Sequence, residues 1–133
     1  MPLTTKGANH ILSVLHGRAS AFTPPVSYFV GLFQADPGVA GALTSEVSNS
    51  DYTRVNLTSI CSNASGGWLN NATALVYSVA LSNWGTARYL GILDTSTLGQ
   101  GQMVSYIALP TAVPINVNDQ FVLAASHYAF NAL

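Results

Sequence analysis

Apolar and polar positions along the chain predict one short helix followed by a series of strands. Ala8, Ile11, Leu12 and Leu15 recur at i, i+3, i+4 and i+7, the spacing of one helix face, within residues 4–17. Thr4 or Thr5 can cap the start of this helix and Gly17 can end it. A helix of so few turns is marginal in isolation, so it has to dock on its own domain, on a sister subunit or on a larger assembly. Ile11, Leu12 and Leu15 are its expected anchoring face. After a proline-stiffened connector, SAFTPP (20–25), the segment VSYFVGLFQ (26–34) is apolar on both faces and predicts a strand buried on both sides.

Farther on, DYTRVNLTSI (51–60) alternates, with Tyr52, Arg54 and Asn56 set against Thr53, Val55 and Leu57. ALVYSVAL (74–81), TARYLGILD (86–94), MVSYIAL (103–109) and QFVLAASHYAF (120–130) read as further strands. Between them lie loops at 35–50 and 61–73, a glycine-rich tip at 95–102 and a crossover at 110–119, where Pro110 and Pro114 mark non-central backbone. Strands about ten residues apart with turns between predict a mainly β fold, an antiparallel β-sandwich or jelly-roll-like barrel. Residues 1–19 form an N-terminal helix and arm, and residues 20–133 a single β-sandwich domain.

The stretch LSNWGTARYLGILD (81–94) carries the residues of greatest interest. Strict alternation puts Arg88 on one face with Thr86, Leu90, Ile92 and Asp94, at a rim where its stem covers apolar surface and its head reaches water. Trp84 is expected to plug the end of the core, beside a sharp turn at Gly85. Gly91 in mid-strand predicts a bulge, or close approach by the helix or a second subunit. Asp94 ends the strand. With Asp36, Glu46, Asp51 and Asp119 it fits the general placement of acids before or after strands, where they accept from turn N–H groups.

Composition adds a sharper inference. Charged residues are 7% of the 133, apolar residues 49%, and the formal net charge is −1. An average soluble domain carries about 25% charge. So little charge gives copies little reason to stay apart and points to life in an assembly. Lys6, Arg18, Arg54 and Arg88 are scattered and form no basic stripe, so no nucleic-acid partner is expected. No apolar run approaches the ~18–20 residues that span a bilayer, and no membrane partner is expected. His16 and Arg18 break the first apolar run, which argues against a secretory signal. Cys61 is alone and predicts a half-buried thiol. His10, His16 and His127 match no catalytic or metal spacing, so neither an enzyme nor a metal or cofactor site is expected.

Taken together, GLFQADPGVAGALTSEVSNSDYTRVNL (31–57), NNATALVYSVALSNWGTARYLGILDTSTLGQGQMVSYIAL (70–109) and VNDQFVLAASHYAF (117–130) resemble a family of small bacteriophage virion structural proteins. The shared pattern is LF-x-ADPG, a loop ending in EV, an aromatic-x-Arg strand, WGT, GI-x-D and a closing turn, here Asn118-Asp119 where Gly-Asp is usual. Members are commonly labelled tail fibre proteins, while other small β-sandwich phage proteins decorate capsids, often as trimers. The resemblance implies a virion protein. A compact domain with no stalk favours a capsid decoration (cement) protein, a homotrimer bound to the major capsid protein. The alternative is a tail fibre or tail-associated adhesin meeting tail proteins or a host surface glycan. An adhesin would expose Trp68 with a tyrosine or two; a lytic enzyme would show a carboxylate or histidine in a cleft.

Overall fold

The computed structural model describes residues 3–19 and 23–131, so residues 20–22 of the expected connector and both chain ends lie outside the described residues. The described chain holds one helix, α1 (Thr5–Leu15), and the strands β1 (Phe29–Phe33), β2 (Val55–Asn56), β3 (Trp68–Asn70), β4 (Leu75–Val76), β5 (Gly85–Leu93), β6 (Met103–Ile115), β7 (Val122–Leu123) and β8 (Ala129–Asn131). Every strand pairing is antiparallel. A four-stranded sheet runs β2-β1-β5-β6, and β3–β8 and β4–β7 form two-stranded ribbons. This is the mainly β fold with a short N-terminal helix that the pattern predicts.

The main core lies between these layers. Val30 and Leu32 of β1, Ala87, Leu90 and Ile92 of β5, and Ile115 of β6 pack with Leu75, Tyr77, Ala80, Phe121 and Tyr128 from the ribbon segments. The Tyr77 hydroxyl donates to the Val30 carbonyl at 2.6 Å and ties ribbon to sheet. Tyr52, Tyr77, Trp84 and Phe121 form a chain of stacked and edge-to-face rings, with centroids 5.3–6.4 Å apart. Such pairs add about 0.5–1.5 kcal/mol each beyond their buried area. A second, smaller cluster of Phe33, Leu93 and Met103 packs separately, with Leu43, Tyr89 and Tyr106 against it.

Several local expectations change. Strict alternation fails at Arg88, because the β5–β6 register jumps from Ala87↔Val113 to Tyr89↔Ala108. Ala87 therefore joins Leu90 and Ile92 in the core, while Arg88 is exposed at the irregularity. The expected crossover at 110–119 is, through residue 115, a continuation of β6. Pro110 falls in the stretch looped out opposite Arg88. Pro114 is tolerated because β6 is an edge strand of the sheet. The closing strand 120–130 splits into β7 and β8 around a turn that includes Ser126 at φ 65°. Asn71, fully buried, holds that break: its amide donates to the Thr73 and Ala124 carbonyls, and its oxygen accepts from Tyr128 N–H. Gly91 is no bulge. It pairs regularly with Gly31 and Tyr106. A Cβ there would lie 2.6 Å from Met103 Cε and 2.7 Å from Phe33 Cε2, so the close neighbours belong to its own sheet.

The helix forms at its expected place, with its expected cap, but its apolar face is not what fixes it to the domain. Thr4 is its N-cap and accepts from Gly7 N–H at 3.2 Å. A second register shift, between Ile92 and Leu93, leaves Val104 without a partner on β5. The Val104 carbonyl accepts from Thr4 N–H at 3.1 Å, and the Thr4 hydroxyl donates to the Met103 carbonyl. Gly7 lies so close that a Cβ would fall 2.1 Å from the Val104 oxygen. α1 thus docks through its first turn, and Gly7 is its buried residue. The expected anchoring face is not buried against the domain: Ile11, Leu12 and Leu15 are 37%, 56% and 73% exposed.

Candidate interaction site

Two networks of polar side chains fix the loops around the core. Arg54 and Glu46 are both buried and form a two-pronged ion pair, with Nε–Oε1 and Nη2–Oε2 each at 2.7 Å. Arg54 Nη1 donates onward to the carbonyls of Thr95 (2.7 Å) and Gln100 (3.1 Å), which pins the 95–101 tip. Asp94 closes the same tip by accepting from Gln102 N–H at 2.7 Å. Asp51 organises the other end of the sheet. It accepts from Ser82 Oγ (2.6 Å), Leu81 N–H (2.7 Å), Ser82 N–H (3.2 Å) and Trp84 Nε1 (2.9 Å). The Ser82 hydroxyl, with the Trp84 and Leu81 N–H groups, holds its carboxyl well below the usual carboxylate range. Trp84 is buried, and Gly85 has the positive φ, 88°, that the turn beside it needs.

The sequence-predicted residues therefore fall into scaffold and surface. Trp84, Gly85, Gly91 and Asp94 all sit in the scaffold and converge on no open cleft, and Asp94 lies one β5 length away from Trp84. Glu46 binds Arg54 eight residues on, and Asp51 binds Ser82 and Trp84 more than thirty residues away, rather than capping their own turns. Neither contact is visible from local spacing. Its trace is that Glu46-Val47 and Tyr52-x-Arg54 are two of the motifs in the resemblance quoted above. Asp36 and Asp119 do cap turns, accepting from Gly38 and Asn116 N–H at 2.8 and 2.9 Å. His16 and His127 are exposed, with Nδ1 beside the Leu12 and Ala125 carbonyls. No group of three or more His, Cys, Asp or Glu among the described residues could hold a metal ion, and no helix among them is long and apolar enough to cross a membrane. Trp68 is 49% exposed, while the six tyrosines are all buried or half-buried.

What the surface offers is apolar. A groove of about 480 Å³ opens between α1 and the 57–69 segment. Gly7, His10 and Ile11 line it from the helix, and Leu57, Val104 and Tyr128 from the domain. Cys61 also faces it, half-buried, with burial raising its thiol pKa. Beyond the groove the helix exposes Leu12, Val14 and Leu15. A second apolar surface covers the outside of the β4–β7 ribbon. Val76 pairs directly with Val122, both about half exposed, and Val79, Leu81 and Val117 continue the stripe. Leu75 and Tyr77 point into the core, so Val76 between them points out; the phase then slips by one residue, and buried Ala80 leaves Val79 and Leu81 outward. Contiguous exposed apolar residues of this kind mark interaction surfaces.

No curated protein matches the chain. Residues 2–131 match the family described as Podophage GP4 fiber I protein gp80. The chain belongs to that family of phage structural proteins, and its place is the virion.

Proposed function

We propose that this chain is a repeated, non-catalytic subunit of a virion fibre. One observation carries the reading: two separate apolar surfaces, at α1 and on the β4–β7 ribbon, stand on a scaffold whose loops are pinned by an internal ion pair and hydrogen bonds. A subunit in a chain of contacts needs two such faces; a soluble binding domain needs one. The family description, a fiber protein, supports the same reading. The low charge agrees, since apolar and hydrogen-bonding contacts then meet little repulsion. The expected capsid decoration protein, a homotrimer on the major capsid protein, is the second reading. It draws on the exposed helix face, which suits a short anchor laid into a shell. Antibody labelling of intact virions in the electron microscope separates the two. Label confined to discrete projections supports the fibre subunit. Label spread over the whole shell overturns it in favour of decoration.

A further inference from the structure

We propose that the outer face of the 61–70 hairpin binds a neutral saccharide, with a pyranose ring stacked on Trp68 and a hydroxyl met by the Asn70 amide. The two tryptophans of the chain are treated differently by the fold. Trp84 is buried with its indole N–H bonded to Asp51, while Trp68 is 49% exposed. Among the described residues nothing accepts from the Trp68 indole N–H. A large aromatic face and its polar edge are both left to solvent.

The backbone holds that ring in place. Gly66 and Gly67, at φ 58° and 80°, make the two-residue turn between Ser65 and Trp68, whose backbones bond each other at 2.8 and 2.9 Å. The 61–65 segment pairs with one edge of β3, and β8 with the other. Leu69 faces the α1 groove, so Trp68 and Asn70 share the opposite face. Two residues along a strand put them about 6.5–7 Å apart, the span of one sugar ring with its hydroxyls. The Ser62 hydroxyl donates to Asn70 Oδ1 at 2.9 Å and fixes the amide. Asn70 Nδ2 donates to nothing among the described residues, so an oriented donor stands free beside the indole. Ser65, paired directly with Trp68, is exposed and adds a hydroxyl.

Charge and polarity select the ligand. The segments paired with β3 carry no Asp, Glu, Lys or Arg, nor does any residue from Val55 to Ala87. An acidic sugar or a phosphate finds no cation on these strands to pair with. An apolar partner would cover the Asn70 amide and the Ser65 hydroxyl without satisfying them, which costs free energy. A neutral saccharide offers C–H groups to the ring face and hydroxyls to the amide. One such site is weak, on the order of 1 mM, and repetition along an assembly strengthens it through avidity. Only that last step rests on the fibre reading, because the test uses the purified full-length chain and is independent of where label falls on the virion.

Nuclear magnetic resonance of the nitrogen-15-labelled chain reads the site directly, since the two indole N–H signals report one exposed ring and one buried ring. Gluco-, manno- and galacto-oligosaccharides are each titrated to about 20 mM, well past a dissociation constant of that order. At least one should shift the Trp68 indole and Asn70 amide signals to saturation and leave the Trp84 indole in place. Trp68→Ala should weaken binding at least about tenfold, as for loss of a central aromatic contact, and Trp68→Tyr should keep most of it. Asn70→Ala should weaken binding too, with Ser62 still bonded to the carbonyl of residue 70; it replaces Trp68→Ala if that variant perturbs the fold. An unmoved Trp68 signal with all three sugars overturns the proposal. So does equal binding of uronate oligosaccharides, which would show that neutrality selects nothing. A Trp68 shift that follows protein concentration without sugar also overturns it, and would assign the ring to a contact between copies.

Discussion

Arg54 and Glu46 show how a chain with 7% charged residues spends charge on its interior. All three guanidinium nitrogens are engaged, two on one carboxylate and the third on two loop carbonyls. Removing one partner leaves the other charged and desolvated, which costs about 3–5 kcal/mol. Arg54→Ala should therefore shift the urea midpoint far more than Glu46→Gln/Arg54→Met, which removes the pair together; a smaller loss in the single variant would refute this account. Trp84 makes a parallel case for packing. Buried against Tyr52 and Tyr77, it should cost about 3–5 kcal/mol when cut to alanine, measured by the same denaturation. Unchanged stability of Trp84→Ala would show that its ring carries little of the core.

The element scale shows what was legible in the sequence. A helix-spaced apolar stripe and two apolar runs located α1, β1 and β5 as elements, because each stands out from the polar, glycine-rich loops around it. They failed where backbone irregularities set the phase. The register shifts beside Arg88 and Val104 depend on what β6 does opposite, and no local pattern encodes that. The break between β7 and β8 depends on Asn71, more than fifty residues away. For α1 the apolar stripe was visible, but its docking residue was Gly7, whose lack of a side chain gives no hydrophobic signal. The ribbon surface had a trace, in that ALVYSVAL is apolar on both faces. Gly7→Ala tests this docking. The added Cβ meets the Val104 carbonyl rather than a yielding side chain, so the first turn must lift away. A helix this short is marginal once detached. Helical ellipticity should fall while the β signal persists, and trypsin should cut faster at Arg18. Removing residues 1–19 should likewise leave a folded β domain, now lacking the groove's helical wall, and particles should no longer take it up. Normal uptake of the truncated chain would exclude α1 as an anchor.

For the molecule as a whole, the small net charge hides an uneven distribution. The N-terminal segment through Ala35 holds two basic residues and no acid, and the five acids all lie beyond it. Among those acids Asp51 couples fold to pH. Its carboxyl titrates below its ordinary value because the folded chain surrounds the ionised form with donors. A group depressed in this way contributes stability that is whole above its unfolded value, about pH 4, and is lost as pH falls through the folded value. The buried tyrosines work at the opposite limit. Burial pushes the Tyr52, Tyr77 and Tyr128 phenols above 10, so their contribution is whole below about pH 10 and is lost as pH rises toward the folded values. Stability should therefore form a plateau between the two limits, falling on the acid side and again on the alkaline side. Asp51→Asn removes one depressed carboxyl and leaves the buried tyrosines as they are. Thermal melts across pH should show wild type losing stability below about pH 4, where carboxylates titrate. The variant should start lower on the plateau, because a neutral amide oxygen accepts from Ser82 and Trp84 less strongly, and should lose less on acidification. An acid limb of unchanged steepness in Asp51→Asn would overturn the assignment of that limb to Asp51.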